Sequence, residues 1–209
     1  MSEIDARVGA YYTGRLREFG ATPRGVDWNG TESQELRFAQ LLRAVPRDGA
    51  VRVLDFGCGY GGFAGLLQRW NPQASYLGYD ISAEMIAAAR SRVTIPGYVF
   101  TSDRTELERA DVLVASGVLN VKMDIAREEW EAHVFDLLAQ FTTLADSAIA
   151  FNVLTSYADP QRMRDDLYYA DPHRLFAWCR EHFGPWVALL HDYGLYEFTI
   201  IARKQPISS

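Results

Sequence analysis

Asp55, the glycines Gly57, Gly59, Gly61 and Gly62, and Asp80 are the residues whose types and spacing could do chemistry together. Val51, Val53 and Leu54 read as a short buried strand that ends in the acid Asp55, and Phe63 to Trp70 has the apolar spacing of a helix. A strand that runs through close-set glycines into a helix predicts a tight turn. Without side chains there, a ligand can approach the backbone and the N–H groups at the helix start. That pattern is a nucleotide-type cofactor site.

Two cofactors satisfy the spacing. Gly57, Gly59 and Gly62 fit a dinucleotide fingerprint, with Asp80 about 20 residues on as its ribose ligand. Asp55, Gly57, Gly59 and Gly61 equally form Asp-x-Gly-x-Gly-x-Gly. Charge separates them. A pyrophosphate over this turn would be repelled by a carboxylate at the strand end. S-adenosylmethionine (SAM) has no phosphate but carries a sulfonium and an ammonium, which an acid at Asp55 suits. An NAD(P)-dependent oxidoreductase and a non-catalytic SAM-binding protein stand as the alternatives to a SAM-dependent enzyme.

The stretch Val51–Phe63 resembles motif I of the class I (Rossmann-like) SAM-dependent methyltransferases, and Leu77 to Met85 resembles their second strand with its acidic end. The resemblance runs from about Val51 to Lys204. It implies a methyltransferase with SAM as cofactor, read here as acting on a small-molecule acceptor; no zinc-ligand cluster stands in the sequence, and no metal is expected. Asp80 would accept both ribose hydroxyls, or simply cap a strand end. Ile81 and Met85 would flank the adenine, or lie in the core. Ser102 and Asp103, after the third strand, would read the adenine amino group, with an N-cap as Asp103's other role. Ser116 and Gly117 would approach the methionine part, and Asn120 would point at cofactor or substrate. Arg37 could fork onto the methionine carboxylate, or be a surface arginine. Trp28, in a loop, is the best placed of Tyr11, Tyr12 and Trp28 to cover the site. Tyr168 and Tyr169, in the long segment after the fifth strand, and His191 are further candidates for the acceptor side. His191, Asp192 and His133 are tempting acid–base groups, although a lone histidine is more often structural. No catalytic residue is assigned: alignment and exclusion of water can carry methyl transfer.

The elements that must position these residues alternate. A helix over residues 2–19 has Ile4, Val8, Leu16 and Phe19 at helical spacing and Gly20 as its stop. A loop follows to Gly30, and Thr31-Glu-Ser-Gln34 reads as a capping box opening a helix to about Ala44. Strands are expected at residues 51–55, 74–79, 98–100, 111–115 and 148–153. Helices are expected at residues 63–70, from Ser82 to about Arg92, and 126–145. Gln161 to Leu167 suggests a short helix, and Asp171-Pro172 the N-cap and first residue of another. Trp186–Leu190 and Leu195–Ala202, around His191-Asp-Tyr-Gly194, read as an antiparallel hairpin. The expected fold is α/β: a doubly wound, mostly parallel seven-stranded sheet with helices on both faces and an antiparallel C-terminal hairpin. Residues 1–45 would form a helical leader covering the cofactor site, and residues 46–209 the SAM-binding methyltransferase domain.

At 209 residues and 48% apolar content, the chain is long enough for a sizeable core and ordinary for a globular protein. A net charge of −6 argues against a large nucleic-acid footprint. No apolar run approaches the roughly 20 residues that span a bilayer. The N-terminus lacks signal-peptide character, and the two cysteines, Cys58 and Cys179, form no disulfide framework or zinc spacing. A cytoplasmic location is the expectation. Oligomeric state and the identity of the acceptor are not legible.

Overall fold

Seven strands lie in one sheet in the order β3-β2-β1-β4-β5-β7-β6 in a computed structural model that describes residues 2–207. They are β1 (Val51–Phe56), β2 (Ala74–Tyr79), β3 (Tyr98–Thr101), β4 (Ala110–Ser116), β5 (Ala145–Leu154), β6 (Trp186–Leu190) and β7 (Glu197–Arg203). The first five are parallel. β7 inserts antiparallel between β5 and β6, as the hairpin reading expected. β5 is buried on both faces from Ala148 to Val153, which its apolar run required.

Helices α2 (Thr31–Leu42), α3 (Ala64–Trp70) and α4 (Ala83–Arg92) meet in one core around Phe38, Phe63, Leu67 and Ile86. Helices α5 (Arg127–Leu144) and α6 (Pro172–His182) bury Trp130, Val134, Phe141 and Leu175 in the other. Between β3 and β4 there is no crossover helix, only the 3-10 turn Arg104–Glu106. The leader helix α1 (Glu3–Phe19) covers that gap, with Ile4 and Val8 packed against the α5–α6 core. Arg104 reaches Asp5 at 3.3 Å, and Arg7 and Arg17 pair with Asp124 and Glu84.

Two local expectations are corrected. The capping box belongs to α1, where Ser2 and Asp5 cap reciprocally, not to α2. Helix α2 starts a residue earlier, with Gly30 as N-cap, because Ser33 turns its hydroxyl onto the Gly30 carbonyl at 3.0 Å and Gln34 accepts from Tyr60. The helix expected over Gln161 to Leu167 is only the 3-10 turn Pro160–Arg162. There the backbone is drawn into tertiary pairing instead: Leu167 bridges Val121, and the Asp166 carbonyl accepts from Lys122 and Met123.

Candidate active site

β1 carries Asp55 and Phe56 to the C-terminal edge of the sheet and then enters the glycine bend. Gly57 and Gly59 hold φ of 80° and 54°, the left-handed region that only glycine adopts readily. The N–H groups of Gly57 and Cys58 both donate to the Tyr79 carbonyl, at 2.7 and 2.9 Å. That of Gly59 donates to Asp80 Oδ2 at 2.9 Å, and that of Gly61 to the Cys58 carbonyl at 3.0 Å. These donors are therefore spent inside the protein, not left for a ligand as the turn alone suggested. The N–H groups of Tyr60, Gly62 and Phe63 have no such partner among the described residues, but a phosphate bridge there would meet two buried acids.

Those acids are Asp55 and Asp80, 3% and 8% exposed. Tyr76 donates its hydroxyl to Asp55 at 2.6 Å, yet burial, with Asp80 adding to it, raises the Asp55 carboxyl to about 7. Asp80 accepts from the N–H groups of Gly59 and Ser82, each at 2.9 Å; burial outweighs both and lifts it to about 6. A carboxylate offers about four acceptor positions. Two are used here, which leaves capacity for the two hydroxyls of a ribose.

Asp55 and Asp80 open on one cavity. Of the residues singled out in the sequence, Gly57, Gly59, Ile81, Met85, Ser116, Gly117 and Trp28 also line it. Trp28 lies against the loop after β4: a Cβ on Gly117, whose φ is 74°, would fall 2.5 Å from the indole.

Gly61, Ser102, Asp103, Arg37, Asn120, Tyr168, Tyr169 and His191 do not line the cavity. Gly61 packs against α4 and β3, where a Cβ would meet Val93 at 3.0 Å and Phe100 at 3.2 Å. Ser102 is exposed. Asp103 caps the following turn, accepting from the N–H and hydroxyl of Thr105 at 2.8 and 2.7 Å. Arg37 is buried, pairs with Glu197 and lies 3.9 Å over the Trp28 ring, so its charge is taken. Asn120 is buried and ties the loop after β4 to β5 through the Leu154 N–H at 3.1 Å. Tyr168 sits in the core with its hydroxyl on Glu131 at 2.9 Å, and the Tyr169 hydroxyl accepts from the Arg164 N–H at 3.1 Å. His191 is exposed beside Tyr157.

The cavity also gathers Asp5, Val8, Tyr12, Tyr79, Arg104, His133 and Leu137, most of which sequence reasoning did not place at a site. Asp5, Val8 and Tyr12 recur at the spacing of one helical face; the apolar spacing marked Val8, but nothing in it marked Asp5. Burial raises Tyr12 far above the usual phenol range, with Asp27, Tyr11 and Asp80 adding to it. Burial lowers His133, which is therefore neutral near pH 7.

Comparison with known proteins follows this geometry. Residues 31–198 match the family model described as a Methyltransferase domain. Rv1506c of Mycobacterium tuberculosis, which is named as a methyltransferase, is 42% identical over 164 residues, covering 78% of this chain and 99% of the relative. A trans-aconitate 2-methyltransferase of Azoarcus is 30% identical over 172 residues; the match covers 76% of this chain and 58% of that enzyme's length. The fold is that of magnesium protoporphyrin IX methyltransferase from Synechocystis, solved with bound SAM (TM-score 0.65, 16% identity, 98% of this chain and 99% of that one). Human N-acetylserotonin methyltransferase in complex with SAM matches with TM-score 0.65 at 15% identity, over 98% of this chain and 60% of that one. With the dinucleotide alternative set aside on both the bend's chemistry and these matches, the chain belongs to the class I SAM-dependent methyltransferases and takes SAM as its methyl donor.

Proposed function

We propose that the acceptor is a small carboxylic acid, methylated on oxygen. What supports this reading is the chemistry of the cavity together with the names of the relatives. Trans-aconitate 2-methyltransferases recur among them, and a malonyl-[acyl-carrier protein] O-methyltransferase of Herminiimonas arsenicoxydans is 48% identical over 56 residues. Both names denote carboxylic-acid substrates. A carboxylate is already ionised at neutral pH and needs no general base. Beside the glycine bend, Asp55 and Asp80 are held by Tyr76, Gly59 and Ser82 and Tyr12 stays protonated, so the cavity's unclaimed acceptors among the described residues are His133 and Asp5, which a carboxylate substrate would not require as bases.

Bound SAM supplies an electrophilic methyl group on its sulfonium. The chain's own part is to bind, align and dry. Asp80, pinned on both oxygens, would hold the ribose, and this observation carries the cofactor assignment. Asp55 would favour the cationic end. The turn bearing Val26 and Trp28, which lines the cavity beside Gly59 and Gly117, would exclude water and press the acceptor toward the methyl carbon. Residues 1–45 are read as the covering leader and residues 46–209 as the transferase domain. Among the described residues no helix is long and apolar enough to cross a membrane. The net charge of −6 supports neither a nucleic-acid acceptor nor a nucleic-acid partner. A cytoplasmic location is part of this reading.

The test is incubation with SAM and a panel of di- and tricarboxylates, phenols and amines, read by mass spectrometry. Methyl esters on the carboxylates, lost on mild alkaline hydrolysis, are the expected result. Methylation confined to phenols or amines would overturn the acceptor assignment.

A further inference from the structure

The part of the cavity bounded by α1, α5 and the turn after β3 has no assigned occupant. It is lined by Val8 and Leu137 as apolar walls, with Asp5, Arg104 and His133 as polar groups. Asp5 Oδ2 accepts from the Ser2 N–H at 3.1 Å and from Arg104 at 3.3 Å; among the described residues its Oδ1 has no partner. Neither ring nitrogen of His133 has a hydrogen-bond partner among the described residues, and its ring rests on Trp130 with centroids 5.2 Å apart. A neutral imidazole offers one donor and one acceptor. Apolar side chains beside an unpartnered carboxylate oxygen and an unpartnered imidazole offer the contacts that a nucleobase edge needs.

Strand order sets the direction. Asp80 follows β2, which lies between β1 with its glycine bend and β3 with Arg104 beyond it. A donor whose ribose sits on Asp80, and whose ammonium and sulfonium lie over the acidic bend, must send its base toward β3. Asp103, the acid expected there, is exposed and spent on Thr105. We propose that the leader helix, through Asp5 and with His133 of α5, reads the amino-bearing edge of the adenine in place of the acid that follows the third strand. The leader is then a specificity element for the donor as well as a cover. This inference rests on SAM being the donor.

The test is calorimetric comparison of S-adenosylhomocysteine with S-inosylhomocysteine, in which a 6-oxo group replaces the amino group. Wild-type protein is expected to prefer the adenosyl ligand by about tenfold or more, the effect of one hydrogen bond to a charged group. Asp5→Asn, whose amide can donate to the 6-oxo group, is expected to reduce that preference to about threefold or less. His133→Leu is expected to weaken both ligands. The readout is a ratio of affinities, so partial loss of folded protein from disturbing the α1 cap does not move it. An Asp5→Asn protein that keeps the wild-type ratio would overturn the proposal, as would a wild type that does not discriminate. Failure of wild-type protein to bind S-adenosylhomocysteine would instead remove the donor assignment beneath it.

Discussion

Asp80 is where charge, burial and ligand chemistry meet at a single residue. Ribose hydroxyls donate to a carboxylate, so a nucleoside ligand binds the ionised form. Because burial holds Asp80 at about 6, S-adenosylhomocysteine affinity should be steady above pH 7 as far as this group is concerned. It should then fall toward about tenfold per pH unit below 6. Asp55, at about 7, would steepen the fall if it too favours the ligand's ammonium. Calorimetry at pH 5.5 and 7.5 reads this, and Asp80→Asn should show the shallower profile. Asp80→Ala should weaken binding about tenfold or more, since two charge-assisted hydrogen bonds are lost. Unchanged affinity would end the ribose assignment. Gly57→Ala should be worse for the fold. Its φ is 80°, and the added Cβ would stand 2.4 Å from the Val118 side chain, so a drop in melting temperature is expected even without ligand.

At the scale of elements, the leader is held by a buried chain of contacts. Trp28 packs on Gly117, Arg37 of α2 lies on Trp28, and Glu197 at the start of β7 pairs with Arg37. Glu197 is 1% exposed, and burial raises it to about 7 against the pull of Arg37. Arg37→Met should therefore cost roughly 3 kcal/mol of stability at pH 8, where an unpaired carboxylate would be left buried. It should cost clearly less at pH 5.5, where Glu197 can take a proton. Urea unfolding at the two pH values decides it, because equal losses would exonerate the carboxylate. None of this chain of contacts was visible in the sequence, where Arg37 read as a cofactor ligand or, more readily, a surface residue. What was legible is local. The strand, bend and helix from Val51 to Trp70, the Ser82 cap and the Asp171-Pro172 helix start each depend on neighbours within a few positions. Three of the residues that failed to reach the cavity have distant partners. Asn120 is claimed by the end of β5, Tyr168 by Glu131 of α5, and Arg37 by β7. Asp103 is the reverse case: its own capping turn held it, while Asp5, from the other side of the chain's long connection, entered the cavity instead.

Taken as a whole, the molecule buries three acids against their preference, and that sets its pH dependence. Asp55, Asp80 and Glu197 have folded-state values of about 7, 6 and 7, above the ordinary 3.8 to 4.5. The folded chain therefore holds more protons than the unfolded one across this window, and its stability falls as pH rises through it. Surface acids act oppositely. Glu84 with Arg17, Asp111 with Arg52 and Asp166 with Arg164 are held below their usual range, so their support is lost only in more acid solution. His133, lowered by burial, works against the three acids as pH drops below its ordinary 6.5, one group against three. The ligand-free protein should thus melt at a higher temperature at pH 6 than at pH 8. Saturating S-adenosylhomocysteine should shrink or reverse that difference, because it binds ionised Asp80 and adds stability by mass action where the free protein is weakest. Thermal melts from pH 5 to 8.5, with and without the ligand, read both effects. A melting temperature that climbs from pH 6 to 8 without ligand would mean that these carboxylates are already comfortably ionised in the fold. The fall in S-adenosylhomocysteine affinity expected below pH 6 would then shift to more acid solution as well, since ionised Asp80 is the form that binds.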